Sequence, residues 1–598
     1  MQEVSIPLQP SAGAIHKPTV YETTTEVELS QSPSSSPDNS SPQLIPHSHS
    51  ASPSPSQSQP MARLLDQAPE VLHHIFQHVE PTDLARVART CRHLNSVVKT
   101  DELLWKIHYL SLFDPPDDDA TGTWRARLTR LINLQKILES DSEEVKTQNL
   151  SEILTQTLAL AEQALSTPPK NTSFLSKYYQ QGLNINTILC CSSLFTRARP
   201  RQWPPAPTED LRQISAQLHV LAGMNLDAPW PDPEGQSCSH VASTRAGSIF
   251  DESYDNNSDD SSDAEIIDSE APDTDNEDTR LRLRNHPTPI RDVHPWARSR
   301  VYDLRRYKES NMWGPFHDDG SGRIDWEKVQ SIMIVLAYNH RLYTERRGLI
   351  GADSLGLPAD STRMADPVRN VSSTRSNLLR PWEGVFEGIA PNSYVSSPLE
   401  GKLKPSLHPH LDALDPYGVT GTWMRIVCFL DYNDLYRFNF DPHANIPRDQ
   451  ERDPISTREA FRLIKLQLQV TRVEEQEGLD VHGKPLLPVV YFEGTSRSTF
   501  MAWDPNANSR IRGTVQATPS GAVRWTSFSI FHGEERWRSE GVQIGGLNSA
   551  RGILGNWFDK DYDAHGPAGP TAFWKISDTM VEERRRDVPN VLQIFMAE

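Results

Sequence analysis

Apolar residues recur at helical spacing in the segment from residue 64 to residue 109. The first group of them ends at Pro81 and consists of Val71, Leu72, Ile75, Phe76 and Val79. Pro69 precedes this group, and a proline suits the first turn of a helix because an N–H there has no intrahelical partner. The pattern therefore predicts a short amphipathic helix that begins near Pro69 and ends before Pro81.

Two more short helices are predicted after Pro81. Thr82 or Asp83 is the expected N-cap of the second helix. One face of that helix carries Leu84, Val87, Ala88, Cys91 and Leu94. The run from Leu103 to Trp105 opens the third helix. About 45 residues cannot bury this much apolar surface by themselves, so we expect the three helices to dock onto a partner.

Helical spacing continues over residues 120–225, which we interpret as a helical linker region. An aromatic-rich segment, residues 290–345, follows further along the chain and contains a predicted helix that starts at Asp325 or a neighbour. We expect the aromatic-rich segment to pack on the C-terminal domain.

Residues 376–598 change to short aromatic and β-branched runs separated by Gly, Pro, Asn and Asp, which predicts antiparallel strands. The expected strands are residues 384–389, 422–430, 435–440, 461–473, 487–493, 511–517, 522–532, 536–544 and 572–576. Eight or nine strands are more economically closed into a barrel than left with open edges, and a β-sandwich is the alternative. The predicted fold class is α+β.

Two segments are predicted to be disordered. Residues 1–60 are rich in Ser and Pro and hold too few large apolar side chains to offset the entropy of ordering. Residues 240–285 include a tract, from Asp251 to Asp278, with thirteen acidic residues and no Lys or Arg. The acidic tract is interpreted as a solvated insertion, with an acidic docking segment as the alternative.

Charge and cysteine content narrow the function classes. The net charge is -19, and no Lys/Arg-rich face compensates for it, which argues against nucleic-acid binding through phosphate contacts. Five scattered cysteines fit reduced thiols in the cytoplasm or nucleus. No stretch has the roughly 18 apolar residues of a membrane span, so no membrane association is expected.

The motif from Glu70 to Phe76, with Pro81-x-Asp83-Leu84, Cys91-Arg92 and Leu104-Trp105 after it, resembles the F-box. F-boxes dock substrate receptors onto the adaptor Skp1 of cullin-RING ubiquitin ligases, and residues 61–112 are predicted to form this module. The family usually has Leu-Pro where this chain has Gln67-Ala68. The resemblance implies that Skp1 is bound by Pro69, Val71, Leu72, Ile75, Phe76, Leu84, Val87, Cys91, Leu94 and Trp105.

A second resemblance covers the C-terminal strands. LLRPWEGVFEG, GTVQATPSGAVRWTSFSIFHGEERWRSEGVQIGG and RGILGNWFDKDYDAHGPAGPTAFWKIS are similar to the β-barrel region of F-box proteins well represented in fungi. In that group the barrel binds the substrate. The resemblance thus implies a non-catalytic substrate receptor of an SCF (Skp1-cullin-F-box) ligase, which captures a protein substrate. Exposed Trp and Arg often form peptide-binding hot spots, which makes Trp525, Arg536, Trp537 and Arg538 the candidate substrate-binding residues.

Other functions find less support in the sequence. Gly421-Thr422-Trp423 matches the G-x-W of lipocalin barrels, which bind small apolar ligands, but we expect an earlier strand at Val385 to displace Trp423 from the first strand. An F-box scaffold that acts outside the ligase is a third hypothesis. Cys238-Ser-His240 and His408-Pro-His410 lack a second ligand pair, and no nucleophile or phosphate-binding motif occurs, so no catalytic residue, metal or cofactor is predicted.

Overall fold

The computed structural model describes residues 64–116, 122–164, 169–198, 205–223, 290–347, 381–399, 401–441, 446–447, 450–457, 459–480, 483–499 and 508–582. The segments predicted to be disordered, residues 1–60 and 240–285, lie outside the described residues. All the described residues belong to one compact unit.

Four helices, not three, form between residues 69 and 112. They are α1 Pro69–Phe76, α2 Pro81–Val87, α3 Arg92–Thr100 and α4 Glu102–Leu112. The predicted second helix divides at Cys91, whose Sγ accepts a hydrogen bond from the Leu94 N–H at 3.5 Å and caps α3. The predicted N-cap at Thr82 or Asp83 was wrong, because Pro81 is already the first residue of α2 and follows Glu80 as N-cap.

The described middle of the chain is mainly helical, apart from residues 302–325, which hold two 3-10 turns and an antiparallel bridge between Phe316 and Ile324. Its helices are α5 Trp124–Glu139, α6 Glu143–Gln148, α7 Leu150–Glu162, α8 Lys170–Tyr179, α9 Gly182–Asn184 with a π-helical turn Ile185–Leu189, α10 Ser193–Ala198, α11 Glu209–Ala222, α12 Ile290–Val301 and α13 Trp326–Arg347. Helix α13 is buried all round between Val329 and Ala337. A helix that is apolar on every side belongs in the centre of a fold, and α13 packs on α11, α12 and the barrel.

The C-terminal strands form a closed antiparallel barrel, which confirms the barrel over the sandwich. Its strands follow one another around the wall in chain order, and the last pairs with the first: β2 Gly421–Leu430, β3 Glu459–Glu474, β4 Val489–Ser498, β5 Asn508–Ala517, β6 Val523–Phe531, β7 Glu534–Gln543, β8 Ile553–Asp559 and β9 Ala568–Ser577. A separate pair joins β1 Leu403–Lys404 to β10 Met580–Val581. Two helices, α14 Pro409–Asp412 and α15 Tyr432–Phe440, flank β2.

Two predicted strands were wrong. Residues 435–440 lie in α15, because Asp431 caps a helix there by accepting the Asn433 N–H at 2.9 Å. Residues 384–389 form turns, in which Phe386 adopts a positive φ of 56°. With no strand at Val385, β2 is the first strand of the barrel and Trp423 lies within it, contrary to the prediction.

A single apolar core joins the helices to the barrel. It runs from Leu72 in α1, through Leu134 in α5 and Ile332 in α13, to Trp574 on β9. A second cluster fills one half of the barrel interior. The outer wall of the barrel is thus packed against the helical part, while the barrel keeps an interior of its own.

Candidate docking face and barrel interior

Helix α1 splits the predicted docking residues into a buried and an exposed set. Leu72 and Phe76 are buried in the chain's own core, whereas Val71 and Ile75 are 43% and 40% exposed. Val71 and Ile75 are four residues apart and therefore share one face of the helix. The exposed face of α1 thus presents a β-branched pair to the solvent.

The remaining predicted docking residues divide in the same way. Leu84, Leu94 and Trp105 are buried, Val87 and Cys91 are half-buried, and Pro69 is exposed. Four exposed leucines were missed by the sequence analysis: Leu64, Leu65, Leu103 and Leu112. Leu103 could have been found, because it precedes buried Leu104 and neighbouring residues point to different faces of a helix.

Polar contacts hold α1 against α4. The His73 imidazole forms a hydrogen bond with the Asp101 carboxylate, which also caps α4 by accepting the Leu104 N–H at 2.9 Å. The His108 Nε2 lies 3.0 Å from the Phe76 carbonyl oxygen at the end of α1. These contacts keep the exposed face of α1 in a fixed position relative to the start of α4.

Helix α4 continues the fold into the linker. The Asp114 carboxylate, just beyond α4, accepts the backbone N–H groups of Lys170 and Asn171 at 3.1 Å each. The Phe113 and Phe174 rings meet edge to face at 5.1 Å. The docking end of the molecule is therefore fastened to the linker helices by both polar and aromatic contacts.

The barrel interior has an apolar half and a polar half. The apolar half consists of Trp423, Leu466, Leu468, Val470, Val490, Phe492, Ile511, Val515, Trp525, Ile553 and Phe573. Tyr417 and Val419, from the segment before β2, pack on this half, and the Tyr417 hydroxyl donates to the Pro488 carbonyl at 2.9 Å. The polar half lies towards the other end and holds Arg425, Ser496, Ser498, Ser527, Ser529, Ser539 and Thr571.

The structure does not bring the four candidate substrate-binding residues together. Trp525 lies deep in the apolar half, 5.2 Å from the Trp423 ring. Arg538 points outward, and its Nε donates to Glu540 at 2.8 Å. Arg536 and Trp537 lie at the polar end, where Trp537 meets the Trp557 ring edge to face at 5.2 Å. Only Arg536 and Trp537 remain at one rim of the barrel.

Arg425 was missed by the sequence analysis, although it is a buried charged residue of the interior. It lies two residues after Trp423 on β2, so alternation along the strand places both side chains inside. Arg425 is 3% exposed, and its guanidinium carbon lies 4.7 Å from the Phe573 ring centre. Burial lowers the pKa of Arg425 to about 9.

Among the described residues, no group of three or more His, Cys, Asp or Glu side chains could hold a metal ion. The His408 and His410 rings lie 6.0 Å apart, and Cys238-Ser-His240 lies outside the described residues. Within the described part of the chain, each helix is too short or too polar to cross a bilayer.

Comparison with known families identifies the N-terminal helices. The F-box-like family model matches residues 69–111, which covers α1 to α4 and confirms the F-box-like domain predicted from the residues. Neither the curated proteins nor the solved structures gave a match.

Proposed function

We propose that this chain, which carries an F-box-like domain at residues 69–111, is the substrate-recognition subunit of an SCF-type ubiquitin ligase. The F-box would dock Skp1 and, through it, a cullin-RING ligase. The barrel would capture a protein substrate. The chain itself would catalyse no bond change and would act by raising the effective concentration of substrate lysines near the ubiquitin carrier.

The exposed face of α1 is the observation that supports Skp1 docking most. Val71 and Ile75 remain about two-fifths exposed, although valine and isoleucine are among the residues most often buried in folded proteins. Leu103, at the start of α4, is a further exposed apolar side chain of the F-box-like domain, at 59% exposure. Burying these side chains against a partner would stabilise the complex by about 25 cal/mol per Å² of apolar surface.

The continuous core supports the bridging part of the proposal. A receptor that holds a substrate at a fixed distance from the ligase needs a rigid connection between its two binding ends. The core that runs from Leu72 to Trp574 supplies packing along the whole connection. We place the working complex in the cytoplasm or nucleus, where Skp1-based ligases assemble.

A double aspartate variant on the exposed face of α1 tests the docking proposal when its binding to Skp1 is measured. We expect the double variant Val71→Asp and Ile75→Asp to lose Skp1 capture, because two charges cannot be buried in an apolar interface. Phe76 is unsuitable for this test, since it is 2% exposed and its substitution would disturb the fold itself.

The matched control places the same two charges on the barrel side. Val395→Asp with Leu407→Asp changes two side chains that are 52% and 68% exposed. The control should bind Skp1 as the unchanged chain does. Equal Skp1 binding by both double variants would remove the docking proposal.

A lipocalin-like binder of small molecules is the second candidate function. One observation supports this function: Trp423 of the Gly421-Thr422-Trp423 motif lies in the first strand of an eight-stranded barrel. Native mass spectrometry of the full chain purified from its own cells would reveal a co-purifying small molecule. A constant added mass, together with absent Skp1 binding, would favour this second function.

A further inference from the structure

Arg425 differs from every other buried cation among the described residues. Three buried arginines pair with acids: Arg298 with Glu459, Arg300 with Glu451 and Arg452 with Asp303. Three further buried cations, Lys146, Lys328 and Arg551, donate to backbone carbonyl oxygens and so fasten one segment of the fold to another. Arg425 meets neither an acid nor a backbone carbonyl.

Hydroxyl groups are the hydrogen-bond partners of Arg425. Its Nε donates to the Thr571 Oγ1 at 3.1 Å, and its two terminal nitrogens donate to Ser539 Oγ at 2.7 Å and Ser529 Oγ at 3.4 Å. A hydroxyl can rotate and can donate as well as accept, so it can also serve an incoming acceptor. The three hydroxyls therefore satisfy the guanidinium without neutralising its charge.

Keeping such a charge inside the barrel is unfavourable unless something compensates for it. A buried cation without a counter-ion carries a desolvation penalty of several kcal/mol, and an apolar side chain of similar volume would avoid it. The other buried cations have a visible structural use, since each ties segments together. Arg425 also ties strands together, from β2 to Thr571 on its neighbour β9 and across the interior to Ser529 on β6 and Ser539 on β7, but among these buried cations it alone does so with neither an acid nor a backbone carbonyl as partner.

The rim at the polar end of the barrel is partly exposed to solvent. Val427, Ser509 and Trp537 point into the barrel at the polar end, and all three are half-buried, whereas Arg425 is 3% exposed. The Trp537 and Trp557 rings stand at the same end. An entering chain would therefore pass apolar aromatic surface before it reached the guanidinium.

An unsatisfied donor lies deeper in the interior. Trp525 is 5% exposed, and its indole N–H has no acceptor among the described residues. Its neighbour Trp423, in contrast, donates to the Val419 carbonyl at 2.9 Å. Buried donors without acceptors are rare in folded proteins, so this N–H independently indicates a missing acceptor inside the barrel.

We propose that the barrel interior binds an anionic group, a carboxylate or a phosphate, carried by a peptide segment of the substrate, with Arg425 as its charge partner. Ser529 and Ser539 would turn their hydroxyls towards the same group, whereas the Thr571 hydroxyl already donates to the Ile426 carbonyl at 2.9 Å and would only hold the guanidinium in place. This inference rests on the proposed role of the barrel in substrate capture and names the chemistry that is captured. The chain as a whole carries a net charge of -19, so attraction depends on this local site and not on the overall field.

Four matched peptide sets provide the probe for the full-length chain. Each set has a random neutral sequence; one carries a central aspartate, one a central phosphoserine, one a free carboxyl end as its only acid, and one is neutral with blocked ends. We expect at least one anionic set to be retained about tenfold better than the neutral set, as a charge-assisted hydrogen-bonded pair requires. The set that is retained identifies the source of the anion.

Three variants localise the effect. Arg425→Met keeps the volume of the side chain, removes its charge and should abolish the preference for anionic peptides. Ser539→Asp places a carboxylate beside the guanidinium and should abolish the same preference while raising the melting temperature, which keeps the test decisive even if Arg425→Met unfolds. Arg512→Met, an outward-facing arginine paired with Glu535, is the matched control and should keep the preference.

Two results would overturn the proposal. One is equal retention of all four sets by the unchanged chain, and the other is an anion preference that persists in Arg425→Met. Skp1 binding is measured on the same samples, so a failure of the docking proposal would be seen separately from a failure of anion capture.

Discussion

At the scale of single residues, two tryptophans of the barrel's apolar half differ in their hydrogen bonds. Trp423 donates to the Val419 carbonyl, whereas the Trp525 N–H has no acceptor among the described residues. We predict that Trp423→Phe is more destabilising than Trp525→Phe by about 1–3 kcal/mol, because only the first change leaves a buried carbonyl unsatisfied. Urea unfolding of both variants measures the difference, and equal losses would contradict it.

A buried lysine makes a pH-dependent contribution to stability. Lys328 donates to the Gly314 carbonyl at 2.6 Å, and burial lowers its pKa to about 8. Because the same side chain has a pKa of about 10 in the unfolded chain, the unfolded state binds more protons between these values. Stability that depends on Lys328 should therefore rise as the pH increases from about 8 to about 10.

The comparison with Lys328→Met isolates this contribution. Free energies of unfolding are measured for the unchanged chain and the variant at both pH values. The unchanged chain should gain stability relative to the variant as the pH rises. A relative loss over the same interval would contradict the assigned direction of the pKa shift.

The sequence pattern predicted the positions of the helices better than it predicted which of their side chains are exposed. Leu72 and Phe76 fit the family pattern as well as Val71 and Ile75 do, yet the first pair is buried and the second is exposed. Helical spacing fixes which residues share a face, but the side on which the rest of the chain packs depends on contacts far away in sequence. Arg425 was missed for the same reason, since its isolation inside a barrel becomes visible only after the barrel closes.

At the scale of elements, side-chain caps mark the starts of two F-box helices, Cys91 at α3 and Asp101 at α4. Asp101 accepts the Leu104 N–H at the start of α4 and also contacts His73 of α1. We predict that Asp101→Ala destabilises the chain by about 1–2 kcal/mol, as the loss of an N-cap does. Thermal or urea unfolding provides the measurement.

Asp83 supplies the control for that prediction. It lies in the first turn of α2 and pairs only with Arg86 at the surface, at 2.6 Å. Asp83→Ala should change the free energy of unfolding by about 0.5 kcal/mol or less. If the two alanine variants were equally stable, Asp101 would have no capping role.

The sequence predicted most barrel strands correctly but led to one helix being assigned as a strand. Seven of the eight barrel strands were predicted from aromatic and β-branched runs, whereas β8 was missed. The helix that became α13 was predicted from an expected start at Asp325 or a neighbour. Residues 435–440 looked like a strand because Leu435, Phe438 and Phe440 are apolar or aromatic. The deciding signal was Asp431, an N-cap that β-propensity alone does not consider.

At the scale of the whole molecule, one core couples the F-box to the barrel. Tyr179 is fully buried in the middle of it, where its ring lies 5.5 Å from Phe386 and its hydroxyl lies 2.9 Å from the Thr157 hydroxyl. We predict that Tyr179→Ala destabilises the chain by about 3–5 kcal/mol, the usual cost of removing a buried ring. Because the core is continuous, hydrogen exchange should accelerate in α1–α4 and in the barrel strands together.

Independent behaviour of the two ends would argue against a rigid bridge. Faster exchange confined to the helices around Tyr179, with the barrel unchanged, would show that the barrel opens as a separate unit. The proposal that the F-box helices and the barrel interior are held at a fixed distance would then be unsupported.

The most direct test of Skp1 docking maps where Skp1 protects the chain. Hydrogen exchange of the full chain is measured with and without Skp1, peptide by peptide. The proposal predicts slower exchange in residues 64–76 and 103–112, which hold the exposed Val71, Ile75 and Leu103, and unchanged exchange in β2–β9. Protection of the barrel strands with α1 unaffected, or no protection at saturating Skp1, would contradict it.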